Sequence, residues 1–523
     1  MAQTIRGGGA SLAAEGPLDV LVIGGGVNGC SIARDAAGRG LKVALAEQDD
    51  LASWTSSAST KLIHGGLRYL EQYAFRLVRE SLQERERLLR VAPHLIHPLR
   101  FVLPHHPDLR PAWLIRAGLL LYDHLGGRGS LPRSRALRLA GSPEGAPLQE
   151  RYRRGFSYYD CSVDDSRLVV LTALDAARRG AYVWTRTRLV GARRAGPLWE
   201  AQLQARDGRS WRVTARTLVN AAGPWVASVL TGVLGVAPEE RLRLVRGSHI
   251  AVPKLYGGDH AYIFQNGDGR VVFAIPWRSG LTLIGATDAP HGGDPAAATA
   301  TAEEIAYLCA AASAYFRRPV TPADVVHSFA GVRALHDPVA GRKPSEVTRD
   351  YALSVQRFGG EPPVLSVYGG KITTCRRLAE HALEQLSRWL PTAGPAWTAS
   401  APLPGGELDA GPLAGAAAFS AFLTRQLARY AWAPPALTER MARAYGALMD
   451  DILAGARDLA GLGEHFGAGL FEAEVVWLVR HEWAQTAGDI LWRRTRLGLA
   501  MPEEGRLRLE AWLAANAGTE AQG

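Results

Sequence analysis

The sequence predicts an α/β fold that continues into a mainly α-helical C-terminal region. Three observations support this class. A glycine-rich turn separates a short apolar strand from a helix before residue 41, an alternating hairpin is centred on Asp207 and Gly208, and the chain beyond Leu413 has helical signals with few strand signals. A length of 523 residues allows about three domains, each able to bury a core.

The first predicted unit is strand–helix–strand with an acidic residue after the second strand. Its parts are the strand 19–23, the glycines Gly24, Gly26 and Gly29, the helix 30–40, the strand 42–46 and Glu47. The G-x-G-x-x-G spacing lets the backbone approach a pyrophosphate at the helix N-terminus, and Glu47 can accept hydrogen bonds from ribose hydroxyls. These features predict a Rossmann-like dinucleotide site; the alternative is a glycine-rich structural turn.

The segment after Glu47 favours a flavin over a nicotinamide cofactor. Residues 53–61 (S-W-T-S-S-A-S-T-K) offer hydroxyl donors to phosphate and allow close approach to a flat ring, although a polar loop could have the same composition. Small residues return at 222–223 and 369–370. Three separate segments that meet one nucleotide suit an extended, tightly held cofactor, which a nicotinamide that exchanges at every turnover does not need.

The remaining elements follow in chain order. An amphipathic helix with a solvated face is predicted over 76–91, ending before a proline. The hairpin spans 198–220, and an apolar strand at 365–368 precedes a helix over about 373–390. Residues 391–404 are rich in proline, glycine and small side chains, which predicts a linker before the C-terminal helices.

The composition excludes several classes of protein. With 47% hydrophobic and 21% charged residues, the chain is not disordered as a whole. Its four cysteines form no C-x-x-C pair, which excludes a zinc knuckle and a dense disulfide framework, and we predict no metal site. The first 17 residues lack the apolar core of a signal peptide and are expected to form a flexible extension. No strongly apolar run reaches about 18 residues, so a cytoplasmic or peripheral location is expected.

Several longer motifs are more specific than the glycine-rich turn. The most specific is T-S-S-A-S-T-K-L-I-H-G-G-L-R-Y-L at 55–70. The others are V-I-G-G-G-V-N-G (22–29), A-A-G-R-G-L (36–41), R-G-S-H-I (246–250), G-V-R (331–333), T-R-D-Y (348–351), G-G-K-I-T-T (369–374), H-E-W (481–483) and L-W-R-R-T (491–495). By these motifs the chain, over about residues 19–513, resembles the FAD-dependent glycerol-3-phosphate dehydrogenases of the D-amino-acid-oxidase-like flavoprotein superfamily. Thr60 departs from the serine expected there but keeps the hydroxyl.

The resemblance implies α/β plus α architecture: a Rossmann-like FAD-binding domain, an antiparallel substrate-binding sheet over the flavin, and a C-terminal helical domain. The expected boundaries are 18–100, 155–235 and 325–395 for the discontinuous FAD-binding domain, 101–154 and 236–324 for the substrate-binding domain, and 396–523 for the helical domain. Residues 1–17 precede them as the extension. Whether the C-terminal helices form a homodimer stays open.

The resemblance also implies a reaction. Non-covalently bound FAD would oxidise sn-glycerol 3-phosphate to dihydroxyacetone phosphate by hydride transfer from C2 to flavin N5. The electrons would then pass to a membrane quinone, either ubiquinone or menaquinone, from an enzyme peripheral on the cytoplasmic face of the cell membrane. Two related activities remain as alternatives: a glycerol-3-phosphate oxidase that uses oxygen, whose extra insertion we do not find, and an amine or amino-acid oxidase, which would need one carboxylate-binding arginine and an apolar pocket.

The substrate site is predicted from charge and proton chemistry. A phosphate of about −2 charge needs two or more cations, and the candidates in turn or glycine-rich contexts are Arg68, Arg333, Arg349 and Lys371. The resemblance implies that Arg333 and Arg349 contact the phosphate and that Arg68 and Lys371 approach from the flavin side.

The predicted general base is His249, because an imidazole titrates near neutral pH. The alternative is a histidine that only hydrogen-bonds a strand. Tyr69 could orient the substrate by its hydroxyl and, with Arg333 and Lys371, completes the predicted catalytic set. The predicted cofactor contacts are Gly24, Gly26, Asn28, Gly29, Glu47, Thr55, Ser56, Ser57, Ser59, Lys61, Leu62, His64, Gly65, Gly66, Ala222, Gly223, Gly370, Lys371 and Thr373. The helix after Thr373 would stabilise negative charge on reduced flavin by its N-terminus.

A basic segment indicates an anionic membrane surface as a partner. Residues 111–122 (P-A-W-L-I-R-A-G-L-L-L-Y) are nearly apolar, and 110–154 contains nine arginines and three acidic residues. This pattern fits a helix lying on anionic lipid, whereas the alternative is a buried core helix in a basic region.

The net charge of +10 and pI of 9.6 also raise nucleic-acid binding. That class would need cations clustered with aromatics on one face; the flavin motifs give it no support, and we predict no nucleic-acid partner.

Overall fold

The computed structural model describes residues 16–107, 109–278, 280–337, 350–357 and 359–516. The helices are α1 (Val27–Gly38), α2 (Phe75–Val91), α3 (Ala112–Leu125), α4 (Asp165–Arg178), α5 (Val226–Gly232), α6 (Ala302–Ser313), α7 (Cys375–Leu386), α8 (Gly415–Arg429), α9 (Pro435–Tyr445), α10 (Met449–Ile452), α11 (Glu472–Glu482) and α12 (Glu503–Asn516). Within the part of the chain that the structure describes, none of them combines the length and apolar character needed to cross a membrane.

The first sheet has a parallel centre. Its strands are β1 (Leu18–Ile23), β2 (Val43–Ala46), β7 (Tyr182–Trp184), β8 (Thr187–Ala195), β9 (Leu198–Ala205), β10 (Ser210–Asn220), β17 (Ala352–Gln356) and β18 (Val364–Tyr368). In the order β18-β10-β1-β2-β7 all neighbours are parallel, β17 is antiparallel to β18, and β8, β9 and β10 form an antiparallel meander. Helices and the meander cover the two faces of β1, which explains why its last four residues, 20–23, are all apolar.

The second sheet has ten strands and is mainly antiparallel. They are β3 (Leu62–Ile63), β4 (Ile96–His105), β5 (Arg135–Arg138), β6 (Arg154–Val163), β11 (Leu242–Pro253), β12 (Ala261–Gln265), β13 (Val271–Trp277), β14 (Leu281–Gly285), β15 (Ala289–Pro290) and β16 (His327–His336). The order is β15-β11-β14-β13-β12-β4-β6-β3, with β16 paired to β11 and β5 to β6, and only β12 and β4 run parallel. Helix α6 packs on one face of this sheet and α2 and α3 on the other.

Strand pairing in the second sheet crosses the domain boundaries expected from the sequence. Strands β3, β6 and β16 lie in segments assigned to the FAD-binding domain, yet they pair in the antiparallel sheet. The physical reason is register: β6 pairs with β4 along ten residues, from Ile96 opposite Val163 to His105 opposite Arg154. A strand with that many ladder bonds belongs to its partner's sheet.

The C-terminal helices do not form a separate core. One cluster of buried side chains includes Ile32 of α1, Leu168 of α4, Phe419 of α8, Met441 of α9 and Leu478 of α11. The preceding segment is irregular, as predicted for 391–404, but it is packed: Trp397 donates from Nε1 to the Asp35 carbonyl oxygen at 3.1 Å. Besides the helices, this region contains the hairpin of β19 (His465–Gly467) and β20 (Leu470–Phe471) and a π-helical turn, Asp489–Arg494.

Several predicted elements are confirmed within one to four residues. The helix predicted at 76–91 is α2, the 198–220 hairpin is β9 and β10, and the strand at 365–368 is β18. The helix predicted from about 373 begins as a 3₁₀ turn at Ile372 and becomes α7 at Cys375. The first helix starts earlier than predicted, at Val27 instead of residue 30, because the glycine turn already has the geometry of a helix start.

Candidate active site

The glycine-rich turn joins β1 to α1 at the carboxyl end of the first sheet. Gly24 has φ +110°, and a Cβ there would lie 2.5 Å from the Ala221 carbonyl oxygen. A Cβ on Gly29 would lie 1.9 Å from the Gly24 carbonyl oxygen. Only glycine fits at either position, and the N-cap residue, Gly26, has no side chain to cap α1, which suits the approach of a phosphate to the helix N-terminus.

Glu47 ends the second strand and closes over the turn. Its carboxylate accepts the Gly25 backbone N–H at 2.5 Å and the Asp49 N–H at 2.8 Å. Burial raises the pKa of Glu47 to about 7, although both backbone hydrogen bonds favour the charged form. Each carboxylate oxygen keeps a further acceptor position, as a contact to ribose hydroxyls requires.

Side chains of the hydroxyl-rich segment after Glu47 line two different cavities. Thr55, Ser56 and Ser59 line the same cleft as the glycine turn. Ser56 Oγ accepts the Val27 N–H at 3.0 Å, and Thr55 Oγ1 donates to the Val332 carbonyl oxygen at 2.6 Å. Ser57 and Lys61 line a different cavity, of about 1570 Å³, between this segment and the C-terminal region.

Lys61, a predicted cofactor contact, lines this second cavity and is held there by a buried carboxylate. Its ammonium donates to the buried Asp165 carboxylate at 3.0 Å and to the Ser57 carbonyl oxygen at 2.8 Å. A buried ammonium needs a carboxylate, and Asp165 satisfies it on the side away from the nucleotide cleft. The Ser57 hydroxyl donates locally to the Trp54 carbonyl oxygen at 3.1 Å.

The other predicted segments converge on the cleft, which has a volume of about 480 Å³. Its lining includes Gly24, Gly26, Asn28, Glu47, Leu62, His64, Gly66, Ala222, Gly223 and Gly370. Gly29, Gly65 and Thr373 lie behind this lining: the Gly65 N–H donates to Asp160 at 3.3 Å, and Thr373 Oγ1 accepts the His64 N–H at 3.2 Å. Burial, followed by the charges of Lys371 and Arg85, lowers the pKa of His64 to about 3, so His64 is neutral at pH 7.

The cleft fits an extended dinucleotide. The turn at Gly24 and Gly29 is too tight for any Cβ, as a pyrophosphate cradle requires. Asn28 donates from Nδ2 to the Gly369 carbonyl oxygen at 3.2 Å, while its buried Oδ1 has no hydrogen-bond partner within the described ranges. An orphaned acceptor at this position is what a donor group of a bound cofactor would satisfy.

Three of the four predicted cations lie together in the cleft, beside Tyr69. Arg68, Arg333 and Lys371 line it, and Lys371 Nζ lies 4.0 Å from the centroid of the Tyr69 ring. Arg333 forms an ion pair with Asp288, which also lines the cleft. The fourth predicted cation, Arg349, lies outside the described residues.

His249 on β11 borders the same cleft but is only 1% exposed. Its Nε2 is 3.0 Å from Thr60 Oγ1, and its ring stacks on Phe329 with centroids 4.9 Å apart. Burial, with the charges of Arg333 and Lys61, lowers the pKa of His249 well below its usual range. The imidazole is therefore neutral at pH 7.

Sequence reasoning missed three acidic residues that organise this site. Asp288 pairs with Arg333, Asp165 holds Ser59 and Lys61, and Asp160 accepts hydrogen bonds from Arg85, Tyr122 and the Gly65 N–H. The position of Asp165 after Asp164 at the start of α4 looks like ordinary helix capping. No local signal in the sequence connects these carboxylates to partners 38 to 106 residues away.

The parallel sheet, the glycine turn and the cations define the class of protein as a dinucleotide-dependent oxidoreductase. Comparisons with known families agree. A family model described as FAD dependent oxidoreductase matches residues 19–376, and a model described as the C-terminal domain of alpha-glycerophosphate oxidase matches residues 398–517.

Individual relatives match nearly the whole chain. The chain is 56% identical over 496 residues to the glycerol-3-phosphate dehydrogenase of Pseudomonas aeruginosa, covering 95% of this chain and 94% of the relative. It is 50% identical over 495 residues to the D-erythritol 1-phosphate dehydrogenase of Brucella abortus, covering 94% and 97%. The solved structure of the Bacillus halodurans glycerol-3-phosphate dehydrogenase complexed with FAD is 26% identical, covers 96% of this chain and 94% of that chain, and gives a TM-score of 0.72.

The chain belongs to the FAD-dependent oxidoreductase family. The predicted fold class and the predicted FAD cofactor are confirmed. The individual site residues remain predictions, and their roles are proposed below.

Proposed function

We propose that the chain oxidises sn-glycerol 3-phosphate to dihydroxyacetone phosphate. The observation that carries this proposal is that three cations, Arg68, Arg333 and Lys371, line the same cleft as the dinucleotide turn. A small diol phosphate needs this arrangement, because forked guanidinium groups bind the phosphate dianion while the carbon to be oxidised lies toward the cofactor. An amine or amino-acid oxidase would need a single carboxylate-binding arginine.

Arg333 is the proposed principal phosphate ligand. Its ion pair with Asp288 holds the guanidinium in the wall of the cleft, where it can meet a phosphate. Lys371 adds a second charge, and its cation–π contact with Tyr69 orients the ammonium. Arg68 lines the same cleft.

His249 is the proposed acceptor of the substrate hydroxyl proton. Bound FAD supplies the acceptor for the two electrons that leave C2. A neutral imidazole can take the proton at pH 7, and its hydrogen bond to Thr60 and its stacking on Phe329 hold the ring in one orientation. The ring's low exposure keeps bulk water from competing for the proton.

The absorbance spectrum of the purified protein tests cofactor and substrate together. We expect a flavin spectrum that bleaches rapidly when sn-glycerol 3-phosphate is added without oxygen. D-erythritol 1-phosphate is the second candidate substrate, because a relative of that name is 50% identical. Faster bleaching with the four-carbon phosphate would assign the longer substrate, and bleaching with glycine but with neither phosphate would overturn the proposal.

A membrane quinone is the proposed electron acceptor. The chain is similar to dehydrogenases along nearly its full length, which supports a quinone over oxygen. We expect substrate-dependent reduction of a soluble quinone with little hydrogen peroxide. A peroxide yield equal to the substrate consumed, in air with quinone present, would instead identify an oxidase.

A peripheral position at a membrane is proposed from α3. Its outer face carries exposed Trp113, Leu114, Leu120 and Leu121, while Leu119 and Tyr122 on the other face are buried. Exposed arginines flank this helix at positions 128, 133, 135 and 138. An apolar helix face beside a basic surface supports docking on anionic lipid over the alternative of a fully buried core helix.

A further inference from the structure

Asp165 is a buried carboxylate that joins three parts of the molecule. It is the first residue of α4 and is fully buried. Its oxygens accept Ser59 Oγ at 2.6 Å, Lys61 Nζ at 3.0 Å and the Ser166 N–H at 2.8 Å. The fourth partner is Arg496, which follows the π-helical turn of the C-terminal region and also contacts Asp164 at 2.9 Å.

Ser59 and Lys61 enclose Thr60, whose hydroxyl is 3.0 Å from His249 Nε2. Because both neighbours are tied to Asp165, the backbone at Thr60 has little freedom to move. A second route reaches the same ring: Lys61 Nζ lies 5.0 Å from the centroid of Phe329, and Phe329 stacks on His249. The Thr60–His249 hydrogen bond and the Phe329 ring that stacks on His249 both contact the segment that Asp165 holds.

We infer that Asp165 and Arg496 form a clamp that positions the His249 imidazole, so that the C-terminal region contributes a positioning residue to the active site. The clamp consists of Arg496, Asp165 and the Ser59–Thr60–Lys61 segment. Arg496 is almost fully buried, and without its guanidinium two carboxylates, Asp164 and Asp165, would share fewer counter-charges. This role rests on the proposed function, in which His249 accepts the substrate proton.

The clamp makes a specific kinetic prediction. Arg496→Met keeps an unbranched stem but removes the charged guanidinium, and we expect the rate of flavin reduction by sn-glycerol 3-phosphate to fall roughly 10- to 100-fold, as for a misplaced catalytic group. The FAD content and the KM should stay close to wild type, because neither the nucleotide turn nor the cations are touched. Thr60→Val should give a similar loss, and Thr60→Ser should restore the rate by returning the hydroxyl.

A double variant of Arg496 and Thr60 distinguishes positioning of His249 from general destabilisation of the protein. If Arg496 acts through Thr60, the double variant should be no slower than the slower single variant. The matched control is Arg440→Met, which removes a buried arginine paired with Glu474 inside the same C-terminal region. Additive losses, or equal slowing by the control, would overturn the inference. Thr60→Val and Thr60→Ser keep the test available if Arg496→Met does not fold.

A measurement without substrate separates the clamp from the proposed reaction. In protein labelled with carbon-13 at histidine Cε1, the His249 resonance is assigned by its loss in His249→Gln. We expect that resonance to move in Arg496→Met and Thr60→Val, and to stay in place in Arg440→Met. An unmoved resonance in both clamp variants contradicts the clamp. A wild-type flavin that is not reduced by glycerol phosphate contradicts only the proposed function.

Discussion

Among single residues, Arg333 gives the strongest test of the proposed phosphate site. Arg333→Ala should reduce kcat/KM for glycerol phosphate by about 30- to 1,000-fold, equivalent to about 2–4 kcal/mol for a lost charge-assisted contact. The FAD content should be unchanged, because Arg333 is not part of the nucleotide turn. Steady-state kinetics and the flavin absorbance of the purified variant measure both quantities.

Arg100→Ala is the matched control for Arg333. Arg100 lies in the same sheet, pairs with one carboxylate, Glu144, and has a similarly exposed side chain, 33% against 29%, but it is not among the residues that line the cleft. We expect near-normal kcat/KM in this control. Equal kinetics in both variants would remove Arg333 from the phosphate site.

Glu47 should make FAD binding depend on pH. Its pKa is raised to about 7 by burial in the cofactor-free protein, so the carboxyl is protonated below that pH. Ribose hydroxyls donate to the ionised form, and binding FAD must therefore release this proton when the pH is below about 7. The affinity for FAD should increase with pH, by up to tenfold per unit, and level off above about pH 7.

Glu47→Gln removes the titrating group and should bind FAD more weakly, with little dependence on pH from 5.5 to 8. Quenching of FAD fluorescence during titration of deflavinated protein gives both curves. Parallel curves for wild type and variant would show that another group is responsible for the pH dependence.

At the residue scale, the sequence predicts features that depend on local spacing better than features that depend on contacts between distant residues. The turn at Gly24 and Gly29 and the acceptor Glu47 lie within one strand–helix–strand unit, where spacing alone determines their geometry. Lys61 has the same motif context, yet Asp165, 104 residues further along the chain, turns it away from the cleft. Motif membership places these residues in one segment but does not specify the direction of each side chain.

At the scale of elements, substitutions on helix α3 test whether the protein attaches to a membrane. Replacing Trp113 and Leu121 by serine removes apolar area from the exposed face and leaves the buried Leu119 and Tyr122 in place. Flotation with anionic liposomes should fall several-fold. The variant Leu413→Ser/Leu427→Ser, with comparably exposed leucines in the C-terminal region, should float like wild type.

The arginines near α3 separate electrostatic attraction from insertion. Serine at positions 128, 133, 135 and 138 should weaken flotation on anionic vesicles at low salt and have little effect at high salt. Arg193, Arg206, Arg209 and Arg216, which are exposed in the first sheet's meander and its adjoining loops, provide a variant of equal charge change. Equal flotation of the two sets would exclude a specific role for the arginines near α3.

Helices and hairpins could be predicted from patterns within short stretches of sequence. The pairing of strands that lie far apart in the chain could not. The amphipathic period of α2 and the alternation of β9 and β10 are visible within short windows. The second sheet is different, because β16 pairs along its whole length with β11, about 80 residues earlier. Sequence patterns show that both are strands, but they do not show which sheet each strand joins.

At the scale of the whole molecule, buried ion pairs connect the C-terminal region to the nucleotide-binding sheet. Arg494 forms a bidentate pair with Asp50, both bonds at 2.8 Å, and Asp50 lies four residues after the end of β2 at Ala46. Arg186 pairs with Asp489, and Arg167 of α4 pairs with Glu482 of α11. Desolvated charges of this kind are costly when separated, so the helices and the sheet should unfold together.

Glu482→Gln tests this cooperative unfolding. Arg167 and Glu482 are both fully buried, and removing the carboxylate charge leaves the guanidinium without its counter-charge. The expected loss is about 3–5 kcal/mol, which for a chain of this size lowers the midpoint of thermal unfolding by on the order of 3–5 °C. Far-UV circular dichroism and flavin fluorescence should show the same shifted midpoint, because the two regions share one core. Glu510→Gln, which breaks an exposed pair with Arg506, should leave the midpoint unchanged. An unshifted midpoint in Glu482→Gln, or a flavin signal that stays in place while the helical signal moves, would show that the C-terminal region unfolds independently of the cofactor domain.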